Sequence, residues 1–212
     1  TLVALSPNKA TGVSLLPSML QAGKDFEYFN PLAEVEMLEA NLPHWHQVGA
    51  LYFVTFRLSD SIPQEKLHQW KNEFELWLAR NPKPWNLNQI DEYQTHFARK
   101  IEVWLDQGYG SSLLRERPYA KIVADCILKF DQDRYKIDCH TVASNHVHAL
   151  VVATQGNELP GILKGWKGVS ARKINQLRRT TGNVWQKESY DHIVRNAEAL
   201  ERIRKYILNH KA

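Results

Sequence analysis

The chain has 212 residues, 43% hydrophobic and 24% charged, which fits one soluble folded domain large enough to bury a core. No run approaches the roughly 20 apolar residues of a membrane span, and the two cysteines, Cys126 and Cys139, exclude a disulfide framework or a four-cysteine zinc site. The net charge of +4 is uneven: residues 1–154 carry 15 Lys and Arg against 18 Asp and Glu, residues 155–212 carry 12 against 5, and the second segment is suited to a polyanion.

The opening Thr1-Leu2-Val3-Ala4-Leu5 lacks the basic n-region and small-residue cleavage site of a secretory signal, so a cytoplasmic setting is expected. Residues 1–42 hold scattered Pro and Gly and predict an irregular extension with one short helix near 32–40. Residues 50–58 are rich in aromatic and branched types and predict a strand. A helix is expected from Ser61, placed as its cap with Pro63 near the first turn, to residue 79. Its stripe of Leu67, Trp70, Phe74, Trp77 and Leu78 reads as core rather than as a platform for stacking DNA bases.

Asn81-Pro82-Lys83-Pro84 breaks that helix, and further helical stretches follow at 90–108 and 118–131. After a polar turn at Asp131-Gln132-Asp133-Arg134, strands at 135–143 and 146–153 form a hairpin through Ser144-Asn145. A helix at 159–179 interleaves apolar positions with basic ones, residues 184–195 read as extended, and Asn196 caps a last helix over 197–210. This order predicts an α+β fold: a ferredoxin-like antiparallel sheet with helices on one face. An enlarged helical block at about 61–130 follows the first strand, and residues 43–212 make one domain.

His146 and His148 flank one apolar residue on a predicted strand, so both leave one face while Val147 leaves the other. Two imidazoles on one face suit a divalent metal; the plainer alternative is one half-buried, hydrogen-bonded histidine beside a solvent-facing one. Two ligands do not fill a coordination shell, so a third protein group is required. Tyr206 and His210 stand one turn apart on the predicted last helix, offering a nucleophile and a third ligand. The alternatives are a tyrosine at a helix–sheet edge and a terminal histidine that binds nothing. A metal site with a tyrosine is the minimal equipment for cutting DNA through a phosphotyrosine.

Tyr190 is the competing nucleophile, but it lies in a strand-like run with no ligand type at helical spacing. Lys164, Lys167, Arg172, Lys173, Arg178, Arg179 and Arg195 are the candidate DNA phosphate contacts. Trp166 among them reads either as core or as a base-stacking ring.

Four segments resemble one family. Asn145-His146-Val147-His148 is similar to the HUH motif of single-tyrosine nucleases. Pro43-His44-Trp45-His46 with residues 49–58 resembles the opening strand of REP-associated tyrosine transposases, within the IS200-like transposase superfamily. Residues 184–195, from Val184-Trp185-Gln186 through Tyr190-Asp191-His192 to Arg195, resemble their Trp-Gln…Asp-His…Arg strand, and Tyr206-Ile207-Leu208-Asn209 resembles their terminal helix. The landmarks stand in order across residues 43–212.

The resemblance implies a metal-dependent endonuclease and strand transferase acting on hairpin-forming single-stranded DNA, REP-like palindromes, through a 5′-phosphotyrosine. It implies Tyr206 as nucleophile, His146, His148 and the residue at position 210 as ligands of Mg²⁺ or Mn²⁺, and His192 with Asp191 as supporting groups at the site's border. A structural hydrogen bond at the sheet edge is the other reading of that last pair, and His44-Trp45-His46, expected in a Pro-flanked loop before the first strand, reads as structural. The resemblance also implies a nucleoid-associated protein and allows a homodimer, for which no stretch argues independently. The family carries Asn or Gln where this chain has His210; a third imidazole would favour Mn or Zn over Mg. That replacement motivates the competing reading, a diverged relative that binds DNA hairpins without cutting.

Overall fold

A computed structural model describes residues 19–30, 32, 36–38, 44–83 and 85–210 of the chain. Its centre is a four-stranded sheet of β3 (Tyr52–Arg57), β4 (Tyr135–Val142), β5 (His146–Ala153) and β6 (Tyr190–Ile193), in the spatial order β4-β5-β3-β6. Every neighbouring pair is antiparallel. The first strand of the sheet thus lies between the third and the fourth, the arrangement of the ferredoxin-like fold that the element order predicts.

Alternation along β3 and β5 sorts side chains onto two faces. Tyr52, Val54 and Phe56, with Val147, Ala149 and Val151, meet α4 (Arg117–Leu128) and α5 (Leu159–Arg178) in the main core. Ala120, Val123 and Ile127 come from α4, and Ile162, Leu163 and Trp166 from α5. Fully burying one Val, Ile or Leu stabilises by about 1.5–3 kcal/mol, so this layer dominates the fold. Its polar atoms are paired: Trp166 Nε1 donates to the Tyr135 hydroxyl at 2.9 Å, which donates to the Ile127 carbonyl at 2.7 Å.

The opposite face carries α6 (Ala197–Asn209), whose Leu200 and Ile207 pack with Phe53, Leu150 and Val152 and with Leu20 and Phe26 of the N-terminal segment. Asn196 caps α6, its Oδ1 accepting from the Ala199 N–H at 2.8 Å, as its sequence position predicts. Arg204 fixes the helix in place. Its Nε and Nη2 donate to the two oxygens of buried Asp138, where β4 shifts register, and Nη2 also donates to the Leu20 carbonyl.

The helical block is α1 (Gln64–Arg80), α2 (Leu87–Glu92), a π-helical segment (Tyr93–Ala98) and α3 (Arg99–Asp106). It has a core of its own, in which Trp70, Phe74, Trp85, Tyr93 and Phe97 pack. Those aromatics are core, as the helical stripe suggests. The expected single helix at 90–108 is continuous in space but carries an extra residue in its π turn.

Four local expectations are corrected. Ser61 does not cap α1; Pro63 holds that position, and the Ser61 hydroxyl donates to the Leu58 carbonyl at 2.7 Å, closing the turn after β3. Where a short helix was expected near 32–40, β1 (Glu36–Leu38) pairs with β2 (His44–His46), since a lone short helix does not repay its nucleation cost; residues 33–35 and 39–43 lie outside those described. His44–His46 is therefore strand rather than loop. The extended run 184–195 is interrupted: Tyr190–Ile193 forms β6 opposite Thr55–Tyr52, and at the other end of β3 Trp185 bridges Leu58 while the Gln186 N–H donates to the Arg57 carbonyl.

Candidate active site

Strand pairing delivers the two histidines. His148 stands opposite Thr55 and His146 opposite Arg57, and both imidazoles emerge, buried, on the face shared by α6 and the helical block. Each ring is held through Nδ1. Asn145 Nδ2 donates to the Tyr109 carbonyl at 3.1 Å, which turns its Oδ1 to His146 Nδ1 at 2.7 Å. An amide oxygen only accepts, so Nδ1 carries the proton and Nε2 presents a lone pair. Gly110, next to Tyr109, must be glycine for its own packing: its φ is +84°, and a Cβ there would collide with the Asp60 carbonyl.

His148 Nδ1 meets the Thr55 hydroxyl at 2.8 Å, and the two Nε2 atoms stand 2.9 Å apart. With the hydroxyl donating, His148 Nε2–H donates to His146 Nε2. With it accepting, both Nε2 atoms turn lone pairs to one point, as a shared metal ion requires. Burial pushes both imidazoles down, His146 to about 3 and His148 well below the usual value, with neighbouring imidazoles adding to the effect. Both are therefore neutral, the ligating form.

α6 brings the tyrosine. The Tyr206 hydroxyl lies 3.2 Å from His148 Nε2 and donates to Asp106 Oδ1 at 3.4 Å. The helix ends at Asn209, so His210 stands just beyond it with extended backbone (φ −63°, ψ 122°) rather than inside the last turn. Its ring still reaches the site, with centroids 4.9 Å from His146 and 5.0 Å from His148.

Asp106, the last residue of α3, closes the group. Ligating atoms of Asp106, His146, His148 and His210 all lie within 4.8 Å of one another. Three imidazoles and one carboxylate fit a divalent ion, with a bias towards Mn or Zn over Mg. Burial raises the Asp106 carboxyl and lowers the His210 imidazole. Burial also raises the Tyr206 phenol, and the Asp106 and Glu102 carboxylates raise it further. A nucleophilic phenolate here needs positive charge brought into the site.

The other sequence candidates divide. Tyr190 lies on β6 with its ring against Tyr93 and His192, and burial lifts its phenol well above the usual range. His192 is on the site's face, its ring 5.2 Å from Phe53, while Asp191, opposite Val54, turns to the face of α4 and α5. Trp166 is core. Lys164, Arg172, Lys173, Arg178 and Arg179 are exposed on α5, across the sheet from Tyr206. Lys167 folds back to donate to the Lys187 carbonyl and Ser189 Oγ, and Arg195 pairs with Asp91 and Gln94.

Asp106 escaped the sequence reading. Its one local signal is Glu102 four residues earlier, an acidic pair on one helix face, which usually means a solvated edge.

Residues 113–210 match the family model described as transposase IS200-like. Among solved structures, a REP-associated tyrosine transposase bound to a REP hairpin is similar over 80% of this chain and 70% of its own, at 14% identity and a TM-score of 0.45. A candidate transposase from Deinococcus radiodurans R1 is similar over 76% of this chain and 91% of its own, at 16% identity and a TM-score of 0.36. No curated protein matches the chain.

Proposed function

Because residues 113–210 match the family model described as transposase IS200-like, we propose that this chain is a single-tyrosine endonuclease and strand transferase that cuts hairpin-bearing single-stranded DNA with Tyr206. The observation that carries this reading is the phenol's place at the edge of the donor cluster, 3.2 Å from His148 Nε2 and 3.4 Å from Asp106 Oδ1. A half-buried tyrosine with a purely structural role has no need to set its hydroxyl beside two members of a cluster of three imidazoles and a carboxylate.

His146, His148, His210 and Asp106 would hold the ion, and a bound Mn²⁺ or Mg²⁺ supplies Lewis-acid polarisation of a phosphate. The chain's own groups do the rest. Tyr206 oxygen attacks phosphorus; the bond to the 3′ oxygen of the preceding nucleotide breaks, leaving a 3′-hydroxyl and a 5′-phosphotyrosine. Asp106 Oδ1, which accepts the phenol's hydrogen bond, is placed to take its proton. One phosphodiester is exchanged for another, so the bond remains available for rejoining. The hairpin partner rests on the sequence motifs. The exposed basic residues of α5 would take backbone phosphates of that hairpin, with the single strand passing the β6 edge near Lys167 to reach Tyr206.

The test is incubation with hairpin oligonucleotides carrying single-stranded flanks and Mn²⁺, with mass-spectrometric mapping of any adduct. A tyrosyl–DNA adduct at Tyr206 is expected, lost with EDTA and regained with Mn²⁺ or Mg²⁺. Tyr206→Phe removes the adduct and keeps hairpin binding. An adduct formed by the Phe variant overturns the nucleophile; hairpin binding by the unaltered chain with no adduct favours the non-cutting binder.

A further inference from the structure

Beside Tyr206 opens a cleft of about 440 Å³, running between α3 and α6 over β3 and β6. That volume falls within the roughly 300–1,000 Å³ of small-ligand sites. Val103, exposed on α3, and Ile203 on α6, with Phe53 beneath, give it an apolar wall, while Asp91, Gln94 and Thr95 line its other side. Two polar side chains line the same space. Glu102, half-buried, makes no hydrogen bond among the described residues, and His192 Nδ1 is fully buried and unpartnered. A buried polar atom is nearly always satisfied, so the His192 nitrogen calls for a partner, and the Glu102 carboxylate beside it has lone pairs to offer the same ligand.

The chemistry selects the ligand. A carboxylate beside an apolar wall repels phosphate and accepts from a neutral amine. A planar, amino-bearing heterocycle fits both the wall and the carboxylate, and a carboxylate taking the exocyclic amine of a base is an established pairing. Arg99 and Arg202 stand at the mouth, where the phosphates flanking such a base would lie. We propose that this cleft is a subsite for one unpaired, amino-bearing nucleobase (cytosine, adenine or guanine) next to the phosphate presented to Tyr206. Glu102 accepts from the exocyclic amine, and His192 Nδ1 makes a second bond to the base edge. The proposal rests on the nuclease reading and deepens it: the helical block, which supplies Glu102 and Val103, becomes a reader of the strand being cut.

The experiment uses the full chain carrying Tyr206→Phe, which keeps the DNA intact, and hairpin oligonucleotides in which each flanking position is in turn C, A, G, T or abasic. Fluorescence anisotropy with Mn²⁺ present reads the affinity. One position is expected where thymine or an abasic site weakens binding about tenfold relative to the preferred amino-bearing base. Adding Glu102→Ala is expected to make all four bases bind alike, at the affinity seen with thymine; surviving discrimination overturns the role of Glu102. The base panel on the intact cleft stands without that variant. A flat panel, with the unaltered chain still forming the Tyr206 adduct, overturns the subsite and spares the nuclease. Neither hairpin binding nor adduct overturns both.

Discussion

The two faces of the sheet are built from the same strands, one residue out of step, and they have opposite characters. On one, Val147, Ala149 and Val151 meet α4 and α5 in a layer whose buried polar atoms are few. On the other, His146 and His148 meet Thr55, Tyr206, Asp106 and His210, and hydrogen bonds set the orientation of the His146 and His148 rings. Stability is concentrated on the first face and chemistry on the second, with Val147 the only residue between the two histidines. A strand with period two can meet both demands because the adjacent side chains never share an environment.

Arg204 offers the strongest way to break this division, since it places a structural element on the chemical face. Arg204→Met leaves Asp138 as a buried carboxylate without its partner and is expected to cost about 3–5 kcal/mol in urea unfolding. Metal affinity should fall with it, because α6 loses its register. Ile127→Ala, on the helix-packed face, is expected to cost about 2–5 kcal/mol while leaving Mn²⁺ affinity by titration calorimetry unchanged. A lost Mn²⁺ site in that variant would show that the faces are not separable.

His140 is the exception on the apolar side. It lies opposite Ala149 with both ring nitrogens buried and unpartnered, and burial holds its pKa at about 4. The unfolded chain takes up the proton near pH 6.5 and the folded chain only near 4, so stability falls as pH drops through that window. The loss is about 3 kcal/mol. Unfolding free energies at pH 7 and pH 4 should show His140→Leu losing about that much less than the parent. The smallest effect belongs to Thr55→Val, which removes the oxygen that orients His148. It should weaken Mn²⁺ binding about 10–100-fold with little change in stability.

Much of this was legible in the sequence. The β-branched runs, the turn at Ser144-Asn145 and the cap at Asn196 fixed the strands and the last helix, because each is a local signal that tertiary packing did not override. The His-x-His spacing and the Tyr206–His210 pair gave three donors and the phenol. Asp106 was not legible, since its place depends on how a separate helical bundle docks on the sheet, a long-range fact with no local pattern. The same holds for Lys167 and Arg195, whose charges read as DNA contacts but whose side chains fold back onto the protein. A charge run reveals its sign, and only packing reveals where it points.

The π turn at Tyr93–Ala98 has a reach that its six residues do not suggest. A regular α-helix advances about 100° per residue, so one added residue would turn everything downstream by that angle. A π turn winds the extra residue into one wide turn instead, and the facing downstream is kept. Glu102 and Asp106 both lie downstream, so the wide turn lets the segment be a residue longer while both still look at the site. Deleting one residue from the turn would restore α winding and leave Asp106 in line with the histidines; deleting one from α3, between the turn and Asp106, would swing it by about 100°. Length changes in this segment therefore reach the site as an angle only where no wide turn absorbs them.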